Sequence, residues 1–143
     1  MKRIALLGLG VCLALPPAAR ADQANYDKHV TLFKDMIKAL SDLAEALESV
    51  KDKDTAKAAA PKIDHKVCDK LEALGKSAEK LPKLEGDEPE KLKKQVKDDL
   101  TKQVDRLKKV AYQAGMNSGG EPAFMKSILR LQTASEALNK LGK

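Results

Sequence analysis

The chain has 143 residues, 27 of them basic and 21 acidic, with a formal net charge of +6, two tyrosines, two phenylalanines and no tryptophan. A chain of this length forms one domain and not two. So few aromatic rings cannot build a stacking platform, which argues against nucleic-acid binding. We therefore expect no nucleic-acid partner.

Residues 1–21 have the pattern of a cleavable signal peptide. Two basic residues precede an apolar run over 4–15, two prolines follow it, and small residues stand at positions 19 and 21. The apolar run is too short for a helix that crosses a bilayer about 30 Å thick. We expect cleavage after Ala21, which leaves one domain over 22–143 with no membrane span, in the periplasm or outside the cell.

Processing also changes the charge of the chain. The segment 1–21 contains three basic residues and no acidic one, so its removal lowers the net charge from +6 to +6 − 3 = +3. The remaining charges alternate along the chain and do not form blocks, which is typical of solvated helix faces.

The first predicted helix runs over 25–50 and has the widest apolar face in the chain. Apolar residues recur there at alternating spacings of three and four, which is the period of one helix face. They are Val30, Phe33, Ile37, Leu40, Ala44 and Leu47, with Met36, Leu43 and Val50 beside them. A face of this width requires two or three partner helices.

A second helix is predicted over 52–81, with Asp52 as its N-cap. Its inward face consists of Ala60, Ile63, Val67, Leu71, Leu74, Ala78 and Leu81. Pro61 interrupts this pattern because it cannot donate a hydrogen bond to the carbonyl of Lys57. The helix either begins at Pro61 or begins near Asp52 and bends at Pro61, and the strong helix propensity of 55–60 favours the second interpretation.

Two further helices complete the pattern. The third begins after Asp87 and ends at Gly115, and the fourth begins at Pro122 and ends at Gly142, with a loop over 115–122 between them. The apolar positions are Leu92, Val96, Leu100, Val104, Leu107, Ala111 and Ala114 in the third, and Phe124, Ile128, Leu131, Ala134, Leu138 and Leu141 in the fourth. The sequence therefore predicts an all-α fold, an up-down-up-down four-helix bundle preceded by a cleavable signal peptide.

His29 lies on the apolar face of the first helix and is a candidate axial haem ligand, with Met36 as a candidate second ligand. A haem bundle needs a ligand on a facing helix, but the third and fourth helices contain no histidine, and the chain has no CxxCH motif. A half-exposed histidine at one end of the bundle is the simpler interpretation. We therefore expect no cofactor.

His65 and Cys68 form an HxxC pair, which is the weak candidate for a metal site. With Val67 at the centre of the buried face, an α-helix places His65 about 160° and Cys68 about 100° away. His65 should then face solvent, and Cys68 should lie partly exposed at the edge of that face. Cys68 is also the only thiol after processing, so it is either packed against a neighbouring helix or forms a disulfide-linked homodimer.

Two resemblances follow from these motifs. The chain resembles an uncharacterised family of small exported bacterial helical proteins, in which Asp-x-x-Ser/Thr-Ala-x-x-Ala-x-Pro-Lys begins the second helix; the residues that match are Asp52, Thr55, Ala56, Ala59, Pro61 and Lys62. The overall plan is also similar to cytochrome b562-type bundles. Those carry a histidine late in the fourth helix, where this chain reads SEALNKL over 135–141. The first resemblance implies no particular activity, and the second implies the fold without haem.

Carboxylate pairs such as Asp98-Asp99 lie on polar faces, and no serine or histidine has the setting of a catalytic group. We therefore expect an exported, non-catalytic helical bundle that has a binding or structural role, with an unknown protein partner possible. The alternatives are a haem or metal carrier similar to cytochrome b562 and a periplasmic chaperone-like binder. For the chaperone, Leu100-Thr101-Lys102-Gln103 is one residue short of an LTxxQ motif.

Overall fold

The computed structural model describes the backbone of residues 17–141 and the side chains of 23–135. Within this range the protein is all-α, as predicted, and contains no strand. Its elements are α1 (Pro17–Glu48), α2 (Lys53–Lys62), a π turn (Ile63–Cys68), α3 (Asp69–Ala78), α4 (Glu88–Asn117) and α5 (Pro122–Leu141). The predicted signal peptide lies largely outside the described residues. Among those that are described, no helix combines the length and apolarity that a membrane crossing requires.

The elements α2, π turn and α3 follow one another without a break and form one helical run, 53–78. This run begins with a reciprocal cap: the Asp52 carboxylate accepts a hydrogen bond from the Thr55 backbone N–H at 2.8 Å, and Thr55 Oγ1 accepts one from the Asp52 N–H at 2.9 Å. Such a pair satisfies two orphan donors of the first turn. The helix then continues through Pro61, so the interpretation that starts it near Asp52 is confirmed and the start at Pro61 is wrong.

The π turn begins two residues after Pro61. The Asp69 N–H donates to the carbonyl of Asp64, five residues back, in place of the four-residue spacing of an α-helix. The wider turn rotates the following residues away from the positions that a regular 100° step gives them. Ile63 and Val67 are buried as predicted, and Cys68 is buried with them. The expectation that Cys68 is partly exposed is therefore wrong, because it assumed an uninterrupted α-helix.

The ends of α4 and α5 differ in detail from the prediction. Asp87 is the N-cap residue of α4, but its side chain forms an ion pair with Lys91 at 2.8 Å and does not cap the helix. α4 continues past Gly115 to Asn117, so the connection shortens to 118–121, where Gly119 and Gly120 have positive φ angles of 54° and 74°. α5 begins at Pro122 as predicted, and its predicted end at Gly142 lies outside the described residues.

The helices pack as two pairs. α4 lies along α1 in the same direction, with Tyr26 bonded to Gln95 near one end and Asn117 bonded to the Val50 carbonyl near the other. α5 lies along the run 53–78, while α1 packs against the π turn and α3 and so joins the pairs. The main apolar cluster contains buried residues from every helix, including Leu43, Ile63 and Phe124. A smaller cluster of Val30, Leu92 and Val96 lies between α1 and α4.

Candidate ligand-binding groove

A groove of about 390 Å³ lies between α1 and α3 and is open to solvent on one side. Its lining consists of Asp27, Lys28, Thr31, Leu32 and Asp35 from α1 and of Leu74, Ser77 and Leu81 from the end of the run 53–78 and the residues after it. The three leucines make its surface mainly apolar, and the polar side chains surround them.

The α1 wall of the groove follows from helix spacing. Asp27, Thr31 and Asp35 are four residues apart, so they lie one above another on a single face of α1. Thr31 Oγ1 donates to the Asp27 carbonyl at 2.9 Å, and the Asp27 carboxylate accepts a bond from Gln23 Nε2 at 2.9 Å. The Thr31 hydroxyl is therefore committed to its own helix, whereas the Asp27 carboxylate has acceptor capacity left for a ligand.

The opposite wall carries less polar chemistry. Ser77 Oγ donates to the Ala73 carbonyl at 2.9 Å, so this hydroxyl also serves its own helix. Lys70 Nζ lies 3.9 Å from Asp35 Oδ1 and links α3 to α1 beside the groove. Lys28 and Lys70 together offset the charges of Asp27 and Asp35. The groove therefore has an apolar surface between carboxylates and ammonium groups that balance one another.

The candidate haem ligands lie near this groove but do not form a ligand pair. His29 is half-buried, and its Nε2 lies 2.9 Å from the Pro82 carbonyl oxygen, which ties α1 to the connection after α3. Met36 is partly buried and packs against the main apolar cluster. Each side chain thus has a packing or hydrogen-bonding role within the fold.

The two candidate metal ligands, His65 and Cys68, differ in their exposure to solvent. The His65 side chain is 75% exposed, with Nδ1 3.3 Å from Asp69 Oδ2, whereas Cys68 is 0% exposed. Within the described part of the chain, no group of three histidine, cysteine, aspartate or glutamate side chains is placed to hold a metal ion. Burial raises the pKa of the Cys68 thiol. A disulfide between two copies would require the helices around Cys68 to separate first.

Beside Cys68 lies a charged cluster that the sequence analysis did not find. Arg130 of α5 donates to Asp69 at 2.6 Å and to Glu72 at 2.9 Å, and it lies 4.0 Å from Asp64. Hydrogen bonds from Arg130, and second from His65, lower the pKa of Asp69, and the bonds to Asp69 and Glu72 raise the pKa of Arg130. The cluster pins α5 to the π turn and α3.

Sequence reasoning placed Leu74 and Leu81 on the inward face, but it did not single out Thr31, Leu32 or Ser77. The sequence signal for Leu32 was its position next to Phe33, because two adjacent apolar residues place apolar side chains on two sides of α1. Comparison of the chain with protein-family models, with curated proteins and with solved structures finds no match. The function is therefore inferred from the side chains themselves.

Proposed function

We propose that this protein is an exported, non-catalytic binding protein, an up-down-up-down helical bundle once residues 1–21 are removed. Its ligand is a small molecule with an apolar body, held in the groove between α1 and α3. The observation that carries this proposal is the groove itself, in which Leu32, Leu74 and Leu81 remain partly exposed, although Leu74 also packs against the main apolar cluster.

The size and chemistry of the groove support a small ligand. Its volume of about 390 Å³ is at the lower end of the range of about 300–1,000 Å³ that is usual for small-molecule sites. Such sites combine an apolar surface with a few polar groups that fix orientation. Here Asp27 provides the acceptor and Lys28 the donor, so a ligand with an apolar body and one polar end fits best.

The chemistry of the lining also supports a role without catalysis. His29 is bonded to Pro82, His65 lies on the surface beside Asp69, and Cys68 is buried. The groove therefore lacks the imidazole and thiol groups that most often act as bases and nucleophiles. Its carboxylates lie beside lysines at an open surface, where binding is the simpler role.

A fluorescent probe tests the proposal. The neutral probe N-phenyl-1-naphthylamine should bind the native protein with increased fluorescence, since it has an apolar body and one amine donor. Leu32→Gln should weaken binding at least tenfold because it puts an amide on the apolar surface of the groove. Lys34→Gln, an exposed position on the same helix, should bind like the native protein.

A second location for binding is favoured by a separate observation. Among the side chains of α4 and α5 that the structure describes, four large apolar ones are exposed, namely Tyr112, Met116, Met125 and Leu129. Exposed apolar side chains of this kind suit a chaperone-like binder of unfolded chains or another protein partner. If probe binding survives Leu32→Gln but is lost in Met116→Gln, the groove proposal is wrong and the chaperone-like function is supported.

A further inference from the structure

The helix α5 is attached to the rest of the molecule on one side. Among the residues that the structure describes, the backbone of α5 packs against α2, the π turn and α3. Within this described part of the chain, it comes within 8 Å of neither α1 nor α4. In contrast, α1 packs against α2, the π turn, α3 and α4. Opening of α5 would therefore separate it from the run 53–78 without separating the backbones of α1 and α4.

The contacts of α5 converge on the π turn and the residues next to it. Ser127 Oγ donates to the carbonyl of Ala60 at 3.2 Å, just before Pro61, and Arg130 Nη1 donates to the carbonyl of Asp64 at 3.4 Å. The ion pairs of Arg130 with Asp69 and Glu72 lie one turn further on. Two side chains of α5 thus donate additional hydrogen bonds to backbone carbonyls at and just before the π turn.

The connection to α4 suits a moving helix. Residues 118–121 are the whole link, and Gly119 and Gly120 have backbone angles that other residues rarely adopt. Cys68 belongs to the π turn, which lies between α1 and α5, and it has no exposed surface. Burial raises the pKa of this thiol and the nearby charge of Arg130 in α5 opposes that rise, so exposure of the thiol should report on the separation of α5 from the π turn.

We propose that α5 is a lid that opens as a unit from the π turn while α1, α4 and the run 53–78 stay folded, and that opening exposes Cys68. A helix with neighbours on one side loses fewer contacts on opening than the whole fold loses on unfolding. Local units of this kind open at a free energy below that of global unfolding. Arg130 is the latch, because its two short ion pairs and its bond to Asp64 all cross from α5 to the run 53–78.

Thiol labelling at increasing urea tests this lid. The full chain carries Cys12→Ser, so that Cys68 is the only thiol, and the labelling rate at pH 8 is compared with the unfolding equilibrium measured by circular dichroism. A lid predicts labelling faster than global unfolding allows, with a weak dependence on urea at low concentration. Labelling that follows global unfolding, with its full urea dependence, overturns the proposal.

A matched pair of variants tests the role of Arg130 as the latch. Arg130→Gln should increase the labelling rate in the absence of urea by about fivefold or more, since it removes charge-assisted bonds. Lys126→Gln should leave the rate unchanged, because Lys126 is an exposed cation on the same helix with no ion pair among the described residues. Equal rates in the two variants contradict the role of Arg130.

Hydrogen exchange of the unmodified chain provides a test that needs no variant. The amides of 126–135 in α5 should exchange together, with an opening equilibrium equal to that of Cys68, and the amides of 96–114 in α4 should exchange more slowly. If α4 and α5 exchange with the same protection, α5 does not open on its own and the lid is refuted.

Discussion

The two helix pairs are each crossed by one arginine, and the two arginines are used differently. Between α4 and α1, Arg106 directs its Nε and Nη2 at the two oxygens of Glu48, at 2.8 and 2.7 Å. Between α5 and the run 53–78, Arg130 divides its donors between Asp69 and Glu72 and also reaches the Asp64 carbonyl. Arg106 thus binds a single carboxylate with two hydrogen bonds and also donates to Ser41 Oγ at 3.5 Å, whereas Arg130 is shared between two carboxylates and a carbonyl of the π turn.

The contacts around each arginine explain this difference. α4 and α1 meet along their length, from the Tyr26–Gln95 bond to the Asn117–Val50 bond, and Arg106 adds its bonds within this long interface. α5 packs on the run 53–78 along its described length, through the buried Phe124, Ser127 and Ala134, the partly buried Ile128 and Leu131, and the ion pairs of Arg130. Arg130 therefore joins α5 to a turn of irregular backbone, whereas Arg106 joins two regular helices.

The largest expected effect comes from Phe124, which is 2% exposed and lies in the pair formed by α5 and the run 53–78. Phe124→Ala removes the largest fully buried side chain and should lower the free energy of unfolding by about 3–5 kcal/mol. Urea denaturation followed by circular dichroism measures this change. Met125→Ala is the control, because Met125 is 44% exposed and its loss should cost less than about 0.5 kcal/mol. Equal costs would show that α5 does not pack through Phe124.

Acid should weaken both pairs through their carboxylates. Hydrogen bonds from Arg130 lower the pKa of Asp69, and those from Arg106 lower the pKa of Glu48. A carboxylate with a lowered folded pKa stabilises the protein above its unfolded pKa of about 4, and this contribution is lost as the pH falls through the folded pKa. The urea midpoint of the native protein should therefore fall between about pH 5 and pH 2.

Variants assign this acid sensitivity to each pair. Asp69→Asn and Glu48→Gln should each reduce the difference between the urea midpoints at pH 6 and pH 3, because a neutral amide does not titrate. Asp98→Asn, at an exposed site on α4 without an ion pair among the described residues, should leave the difference unchanged. A full pH dependence in Asp69→Asn would mean that the Arg130 cluster does not contribute to stability.

The sequence predicted the helices well because their signals are local. Apolar spacing located the helical segments, and the N-cap at Asp52 and the proline at 122 marked two starts. The apolar face of α1 was predicted less accurately. Leu43, which the spacing placed beside that face, is buried, whereas Leu40, which it placed within the face, is only partly buried. That outcome depends on which helices pack against α1, which the spacing within one helix does not encode.

The groove and the charged cluster could not be predicted, because both depend on register between helices. Leu74 and Leu32 are far apart in sequence, and nothing near either residue shows that they line one groove. The π turn is a second cause of error. One widened turn rotated Cys68 into the core, and no local pattern distinguishes it from an ordinary α-helical turn after a proline.

The smallest expected effect concerns the connection 118–121 between α4 and α5. Variants at two glycines test where α4 ends and this connection begins. Gly115 lies inside α4 with an ordinary backbone, and a Cβ placed there meets no atom within 4 Å, so Gly115→Ala should stabilise the protein by about 0.5–1 kcal/mol. Gly119 has a φ of 54°, and a Cβ there would lie 2.8 Å from Lys53 Cε, so Gly119→Ala should destabilise it. Urea midpoints of both variants measure these changes. A loss of stability in Gly115→Ala would mean that α4 ends at Gly115, as its sequence alone predicts, and that the connection to α5 is longer than 118–121.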